Sequence, residues 1–305
     1  MNARFPRYIL PILFAAVLAA GCDNTFEPKA EFEERLVVFA ILDKSAPKQI
    51  VRLESTYDAE FTNPDQAKEK RTIRDVDVIM NDGFGSYRFE REAIVEENGD
   101  TSYIWVNEDL DPREGRSYNL RVIRDGETIA IADAQVPSRS FIRMSVRTGA
   151  SSAKGVNVSA GAISTSATPQ GYYFRLWVLG TADVDGEIRV IRQEVPYAYN
   201  DATGEFLLPK PVRASEISFP VDYVQNAKSD LLTQYPSATN FIVMAIGYTM
   251  DVNFYNYYKT VRGFDDPVTV RQDRPDITNI TNGIGVFGAT VADTIARTYN
   301  SFIGS

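Results

Sequence analysis

The sequence predicts a mainly β protein: an N-terminal immunoglobulin-like or transthyretin-like β-sandwich, then a second β-rich domain with one or two short helices. Three observations carry this. Short runs of alternating apolar and polar residues recur between turn-forming residues from Leu36 to Pro137. Asp125-Gly126 sits between two such runs, and that dipeptide suits a type I′ hairpin turn because both of its residues must take positive φ. Helical spacing of apolar residues is confined to two stretches, 221–235 and 251–262.

Leu36 to Leu42 opens the sandwich as an apolar strand, and Ile50 to Glu54 alternates as its return. Asn63 to Thr72 is polar and charged, a loop or a short helix. Asp75 to Met80 alternates again, Gly83 and Gly85 turn the chain, and Tyr87 to Ile94 is the hairpin partner. Tyr103 to Val106 is a short strand, and Glu108 to Gly115 a charged turn. Tyr118, Leu120 and Val122 face one way before Asp125-Gly126, and Ile129 and Ile131 return. Val136-Pro137 closes a domain expected over 36–137 and able to fold alone.

The texture changes across 138–305. Ser145 to Thr168 is rich in Ser, Ala and Gly, with Val156 and Val158 as inward strand positions. Tyr172 to Leu179, Glu187 to Val195 and Glu205 to Leu208 read as strands. Val221 to Gln234 reads as a helix with Val224, Ala227, Leu231 and Leu232 on its buried side, stopped by Pro236. Phe241 to Tyr248 is a buried strand. Asp251 caps a helix running to Arg262, with Phe254, Tyr258 and Val261 at helical spacing. Phe264 to Arg274 is a charged loop, and Gly283 to Ile295 the last strand.

The first segment is an address and not part of the fold. Arg4 and Arg7 precede an apolar run from Tyr8 to Ala20, too short as a helix to cross a bilayer. Residues 1–21 read as a signal peptide. Leu18-Ala19-Ala20-Gly21 then places small residues before Cys22, the chain's one cysteine. The pattern resembles the lipobox of bacterial lipoproteins, in which the Cys thiol takes a diacylglycerol; Ala19 holds the place where that pattern prefers Leu. The alternative is an incidental Cys after an ordinary cleavage site, and the ordered n-region, apolar run and small residues favour lipidation. Residues 22–35 form an acidic tether, and acyl chains on Cys22 would be the sole membrane anchor. Asp23 resembles an inner-membrane retention signal in enterobacteria and part of a surface-export signal in Bacteroidota.

Taken in order, the lipobox, the acidic tether, Leu36-Val37-Val38, the hairpin at Arg116–Leu120, Val136-Pro137, the aromatic helix Phe254–Val261 and Asn279–Ala289 resemble one family. It is the family of Bacteroidota-type lipoproteins known as domain of unknown function forty-two forty-nine. The resemblance covers nearly all of the chain after Cys22. It implies an outer-membrane lipoprotein, cell-surface facing, that serves as an accessory to a TonB-dependent transporter. It carries over no catalytic or ligand residue beyond the lipidated Cys22.

Composition narrows the chemistry. The chain has 305 residues, 32 Lys and Arg against 41 Asp and Glu, one Cys and no His. A net charge of −9 argues against a nucleic-acid partner, since phosphate neutralisation needs a basic surface. Absence of His removes the commonest general base and imidazole metal ligand. Gly283-x-Gly285-x-x-Gly288 matches a dinucleotide fingerprint but lacks the following helix and downstream acid, so the glycines read as a strand that is kinked or closely approached. Ser45-x-x-Lys48 and Ser151-x-x-Lys154 lack the companion motifs of penicillin-recognising enzymes. Asp183-Val184-Asp185-Gly186-Glu187 reads as a hairpin turn before a calcium loop, and Asp265-Asp266-Pro267 as a solvated loop.

The expected function is therefore a membrane-tethered, non-enzymatic accessory or binding module of outer-membrane nutrient uptake. No cofactor is expected beyond the acyl lipid on Cys22, and no metal site. A surface hydrolase using a carboxylate pair is the alternative, and an envelope scaffold or adhesin a further one. Tyr255 and Tyr257 are the candidate contact residues, because one helix face cannot bury both together with Phe254 and Tyr258.

Overall fold

The computed structural model describes residues 35–56, 73–95, 99, 101–148, 154–163, 167–261 and 278–304. Cys22, the signal segment, the polar run 63–72 and the charged loop 264–274 lie outside the described residues. Residues from Arg35 onward form one compact unit, and it is mainly β.

Seven strands open it: β1 (Leu36–Asp43), β2 (Gln49–Ser55), β3 (Asp77–Asn81), β4 (Ser86–Val95), β5 (Thr101–Asn107), β6 (Ser117–Arg124) and β7 (Glu127–Gln135). Their alternation sorts side chains as expected. β6 buries Tyr118, Leu120 and Val122, and the register sets these opposite Ala134, Ala132 and Ala130 of β7. Bulk on one strand thus meets small residues on the next, which fills the layer without voids. The β6–β7 turn takes positive φ at Asp125 (52°) and Gly126 (83°), the I′ geometry. β4 turns a corner: its residues 86–89 pair with β3 and 90–95 with β5. The two faces so formed enclose one hydrophobic cluster around Val51, Met80, Trp105 and Leu120.

The turn before β4 is held by ionic and backbone bonds. Asp82 Oδ1 accepts N–H bonds from Phe84 (2.9 Å) and Gly85 (2.7 Å), and Arg116 pairs with Oδ2. Burial would raise the Asp82 pKa, but these N–H groups and the guanidinium outweigh it and hold it at about 2.

The chain continues through β8 (Ser140–Thr148), β9 (Lys154–Ala162), β10 (Gly171–Val184), β11 (Glu187–Glu194), β12 (Ala198–Asn200), β13 (Glu205–Leu207), β14 (Glu216–Pro220), α1 (Val221–Gln234) and β15 (Thr239–Met250). It ends with α2 (Val252–Val261), β16 (Ile280–Thr281), β17 (Gly283–Thr298) and α3 (Tyr299–Ile303). The Ser- and Gly-rich stretch includes β9, which buries Val156 and Val158 completely. α1 buries Val221, Val224, Ala227 and Leu231. Leu232, expected on that side, is exposed, because one further residue rotates the helix about 100° away from the core. The terminal helix α3 goes beyond the sequence expectation, and its Tyr299 and Ile303 are buried in the second cluster.

Hydrogen bonding links twelve strands in the order β11-β10-β15-β17-β1-β2-β5-β4-β3-β6-β7-β16. A separate three-stranded sheet, β14-β9-β8, shares with α1, α3 and β10 a second hydrophobic cluster around Phe174, Leu176, Phe219 and Val243. The clusters divide near Pro137, except that the C-terminal segment serves both. β17 runs parallel to β1 through residues 283–290 and antiparallel to β15 through 290–298. Its Phe287, Ala289 and Val291 lie in the first cluster, and Ile295 packs on the second. β16 pairs with β7 immediately before β17 pairs with β1, so the chain itself bridges the two edges of the sandwich.

Candidate functional site

The site is built around α2. Asp251 is its N-cap: Oδ1 accepts the N–H of Phe254 at 2.9 Å and also that of Ala289 on β17 at 3.1 Å. One carboxylate oxygen therefore holds the helix start to the sheet. Asn253 adds a second tie, donating from Nδ2 to the carbonyls of Asp133 (2.9 Å) and Phe287 (3.2 Å). Asn279 donates to the same two carbonyls, at 2.9 and 2.8 Å, and accepts the N–H of Phe287. The helix can lie this close because β17 offers glycine beneath it. A Cβ on Gly288 would stand 2.8 Å from Phe254 Cβ and 3.0 Å from Asp251 Oδ1. The glycine-rich run is thus a closely approached strand, as its pattern suggested. Gly285 adds the kink, with φ of 112° where its backbone meets Val38.

α2 is gripped on more than one side, which alters the expectation for its tyrosines. Tyr255 is 6% exposed; it packs on Gly171, with the Arg213 guanidinium 5.8 Å above its ring. It is an interior residue and cannot serve as an exposed anchor. Tyr257 is half-buried, edge-on to Phe39 of β1 at 5.8 Å, and burial raises its phenol pKa. Tyr258 reaches the other way, to Tyr173 at 6.5 Å, and Tyr173 stacks on Tyr248 at 5.7 Å. A single-stripe reading failed here because the helix lies across a broad sheet and its aromatic residues splay onto strands at both flanks.

Beyond Tyr258 the same sheet face continues without a helix. Tyr173, Arg175, Trp177 and Leu179 of β10 alternate with buried Phe174, Leu176 and Val178. Their cross-strand neighbours on β15 are Tyr248, Ile246, Met244 and Ile242. All eight are half-buried, and Tyr258 of α2 meets Tyr173 at one end of the row. At the outer edge, Ile188 and Val190 of β11 are 74% and 69% exposed. Trp177 lies beneath the guanidiniums of Arg175 (4.7 Å) and Arg192 (5.2 Å). Glu194 accepts two 2.7 Å bonds from Arg175, and this fork raises the pKa of the guanidinium. The face is therefore mostly apolar, with Arg175 held by Glu194 beside Trp177.

A cleft of about 480 Å³ opens at the N-terminus of α2, between β7, the Pro137 linker and the loop through Thr168 and Gln170. Asp133 and Asp251 both line it. Sequence reasoning saw Asp251 only as a cap and missed the rest, since Asp133, Gln170 and Asp251 are far apart along the chain. Burial pushes Asp251 up to about 6, against the N–H groups of Phe254 and Ala289, which pull it down.

The remaining motifs fall into turns. Ser45 Oγ donates to Asp43, and Lys48 pairs with Glu92 at 3.2 Å, so this Ser and Lys do not serve each other. Asp185 and Gly186 take positive φ, and the Gly186 N–H donates to Asp183 at 2.8 Å, as in a hairpin turn. Asp265-Asp266-Pro267 and Ser151 lie outside the described residues. Among the described residues, no three His, Cys, Asp or Glu side chains gather to hold a metal ion. Among them, too, no helix is long and apolar enough to cross a membrane, which says nothing of strands.

Fold and site together define a class: a mainly β protein with a large mixed sheet, one aromatic helix seated on its open face, and a polar cleft at that helix's start. Residues 23–296 match the family described as Domain of unknown function (DUF4249), and the chain belongs to that family. No curated protein matches it.

Proposed function

We propose that the chain is a lipid-anchored accessory or binding module of outer-membrane nutrient uptake that works by contact and not by catalysis. Cys22 carries the lipid, the acidic tether spans the headgroups, and the folded unit meets an outer-membrane transporter of the TonB-dependent kind. One observation carries the contact reading: the half-buried, mostly apolar face of β10 and β15, with Trp177 and Met244 at its centre. Contiguous apolar surface rimmed by charge marks interaction sites in folded proteins, and aromatic residues are enriched there. Of the two tyrosines first considered, Tyr257 is half-buried against Phe39 of β1, on the other flank of α2 from this surface.

The test places a photo-crosslinking side chain at Met244 in the native membrane. One outer-membrane barrel protein should be captured, and Met244→Arg should abolish its co-purification while circular dichroism stays unchanged. A protein that is recovered alone, with no adduct, overturns the partner and favours the envelope scaffold. The hydrolase reading draws on Asp133 and Asp251 lining one cleft. Both have Oδ1 committed, Asp251 to two backbone N–H groups and Asp133 to Asn119 at 2.9 Å, which suits fixed acceptors better than proton carriers.

A further inference from the structure

We propose that the hollow between α1 and the β12–β13 hairpin binds one ring of a neutral saccharide. None of its lining residues belongs to β10 or β15, so the inference stands independently of the transporter contact.

The first ground is a fixed aromatic wall. Phe206 of β13 lines the hollow and is 57% exposed. Its ring is nonetheless held, edge-to-face with Tyr223 of α1 at 5.3 Å and with Tyr199 of β12 at 5.1 Å. An exposed ring locked by two neighbours is an apolar wall that loses little freedom when something settles on it. The C–H faces of a saccharide ring suit such a wall, because the face of an aromatic ring is electron-rich.

The second ground is the polar stripe opposite. Tyr223, Asn226 and Asp230 recur at i, i+3 and i+7 along α1, so helical spacing brings all three to the hollow. Among the described residues, no hydrogen bond or ion pair engages the side chain of Asn226 or of Asp230. Asn226 offers two N–H donors and an amide oxygen, and Asp230 two acceptor oxygens. Neighbouring hydroxyls on a saccharide each donate and accept, and an amide beside a carboxylate answers both needs.

Charge narrows the choice. No Lys or Arg lines the hollow, so nothing there draws an anion. Glu194 also lines it, but both its oxygens are held by Arg175 at 2.7 Å, which leaves Asp230 as the one uncompensated charge. A cation would satisfy Asp230 and leave the Asn226 N–H groups without acceptors, whereas a polyol uses both side chains.

The third ground is size. The hollow measures about 180 Å³, below the roughly 300 Å³ at which sites for drug-sized ligands begin, so it admits one ring and not a bulky cofactor.

The test adds the methyl glycosides of glucose, galactose and mannose, one at a time, to the detergent-solubilised full chain, with saturation-transfer NMR as the readout. At millimolar concentration at least one should receive saturation, most strongly on the C–H protons of one ring face. Phe206→Ala should abolish the transfer, and Asn226→Ala and Asp230→Ala should each weaken binding by about tenfold. All three positions are exposed, and Ala favours the helix at 226 and 230, so circular dichroism should stay unchanged. Cyclohexanol and butylammonium serve as an apolar ring without neighbouring hydroxyls and as a cation. No transfer to any of the three glycosides, transfer that persists in all three variants, or an equal response to cyclohexanol or butylammonium would each overturn the proposal.

Discussion

Asp82 and Asp251 are both buried, yet the fold moves their proton affinities in opposite directions. The pKa of Asp82, held at about 2, is below its ordinary 3.8, so its bonds stabilise the fold above that value and are lost as pH falls toward 2. Asp251 sits at about 6, above 3.8, so the folded state holds its proton more tightly than the unfolded chain. Its contribution is complete below pH 3.8 and disappears as pH rises through 6. A shift of that size corresponds to about 3 kcal/mol at most. Asp251→Asn cannot ionise, so its melting temperature relative to wild type should rise between pH 4 and pH 7. Parallel melting curves for the two proteins across that range would refute the assignment. Asp82→Asn should show the converse, losing most relative to wild type near neutrality and little near pH 2.

For the element α2, position on the sheet decides which aromatic residue matters for stability. Tyr255→Ala opens a cavity in the interior and should cost about 3–5 kcal/mol, the range for large buried aromatics. Tyr257→Ala removes a half-buried ring from Phe39 and should cost clearly less, about 1–2 kcal/mol. Chemical denaturation of the two variants measures the difference, and equal losses would mean that the helix is seated otherwise. The strand beneath sets a complementary constraint. Gly288→Ala pushes a methyl to 2.8 Å from Phe254 Cβ, where helix backbone also stands at 3.0 Å. It should destabilise by about 1–3 kcal/mol, the usual cost of overpacking. If Gly288→Ala melts with wild type, the close approach of helix and strand is wrong.

Across the whole molecule, β17 ties the first strand of the described unit to its last helix. A fragment covering 36–137 would lack Ile280, Phe287, Ala289 and Val291 from its cluster and would leave the β17 side of β1 unpaired. Such an edge strand invites pairing with other chains. We therefore expect that fragment to melt without cooperativity or to associate, and addition of a 278–298 peptide to restore a cooperative transition by circular dichroism. Cooperative melting of the fragment alone would show that the C-terminal segment is dispensable. At the same scale, Cys22→Ser should move the protein from the membrane to the soluble fraction and abolish palmitate labelling. Retention on the membrane would remove the lipid anchor from the proposal.

Most strands and both main helices were legible because burial on one face leaves a periodic mark, as in Tyr118, Leu120 and Val122 or in Val224, Ala227 and Leu231; β8, β12, β14 and β16 were not assigned from the sequence. So were the Asp125-Gly126 turn and the Asp251 cap, whose chemistry is local. The glycine run at 283–288 announced close approach but not what approaches. That is Val38 backbone at one glycine and Phe254 at another, and the latter contact depends on where α2 lands. Pairing of β17 with β1, burial of Tyr255, the pairing of Trp177 with Met244 on one face, and the placement of Asp133 and Asp251 in one cleft were decided by tertiary structure alone. Each joins positions separated by tens to hundreds of residues, and periodicity records only whether a side chain is buried, not against what. The sequence by itself determined most of the elements and most of their inward faces; the long-range register decided which apolar rows lie side by side on one face and which carboxylates came to share a cleft.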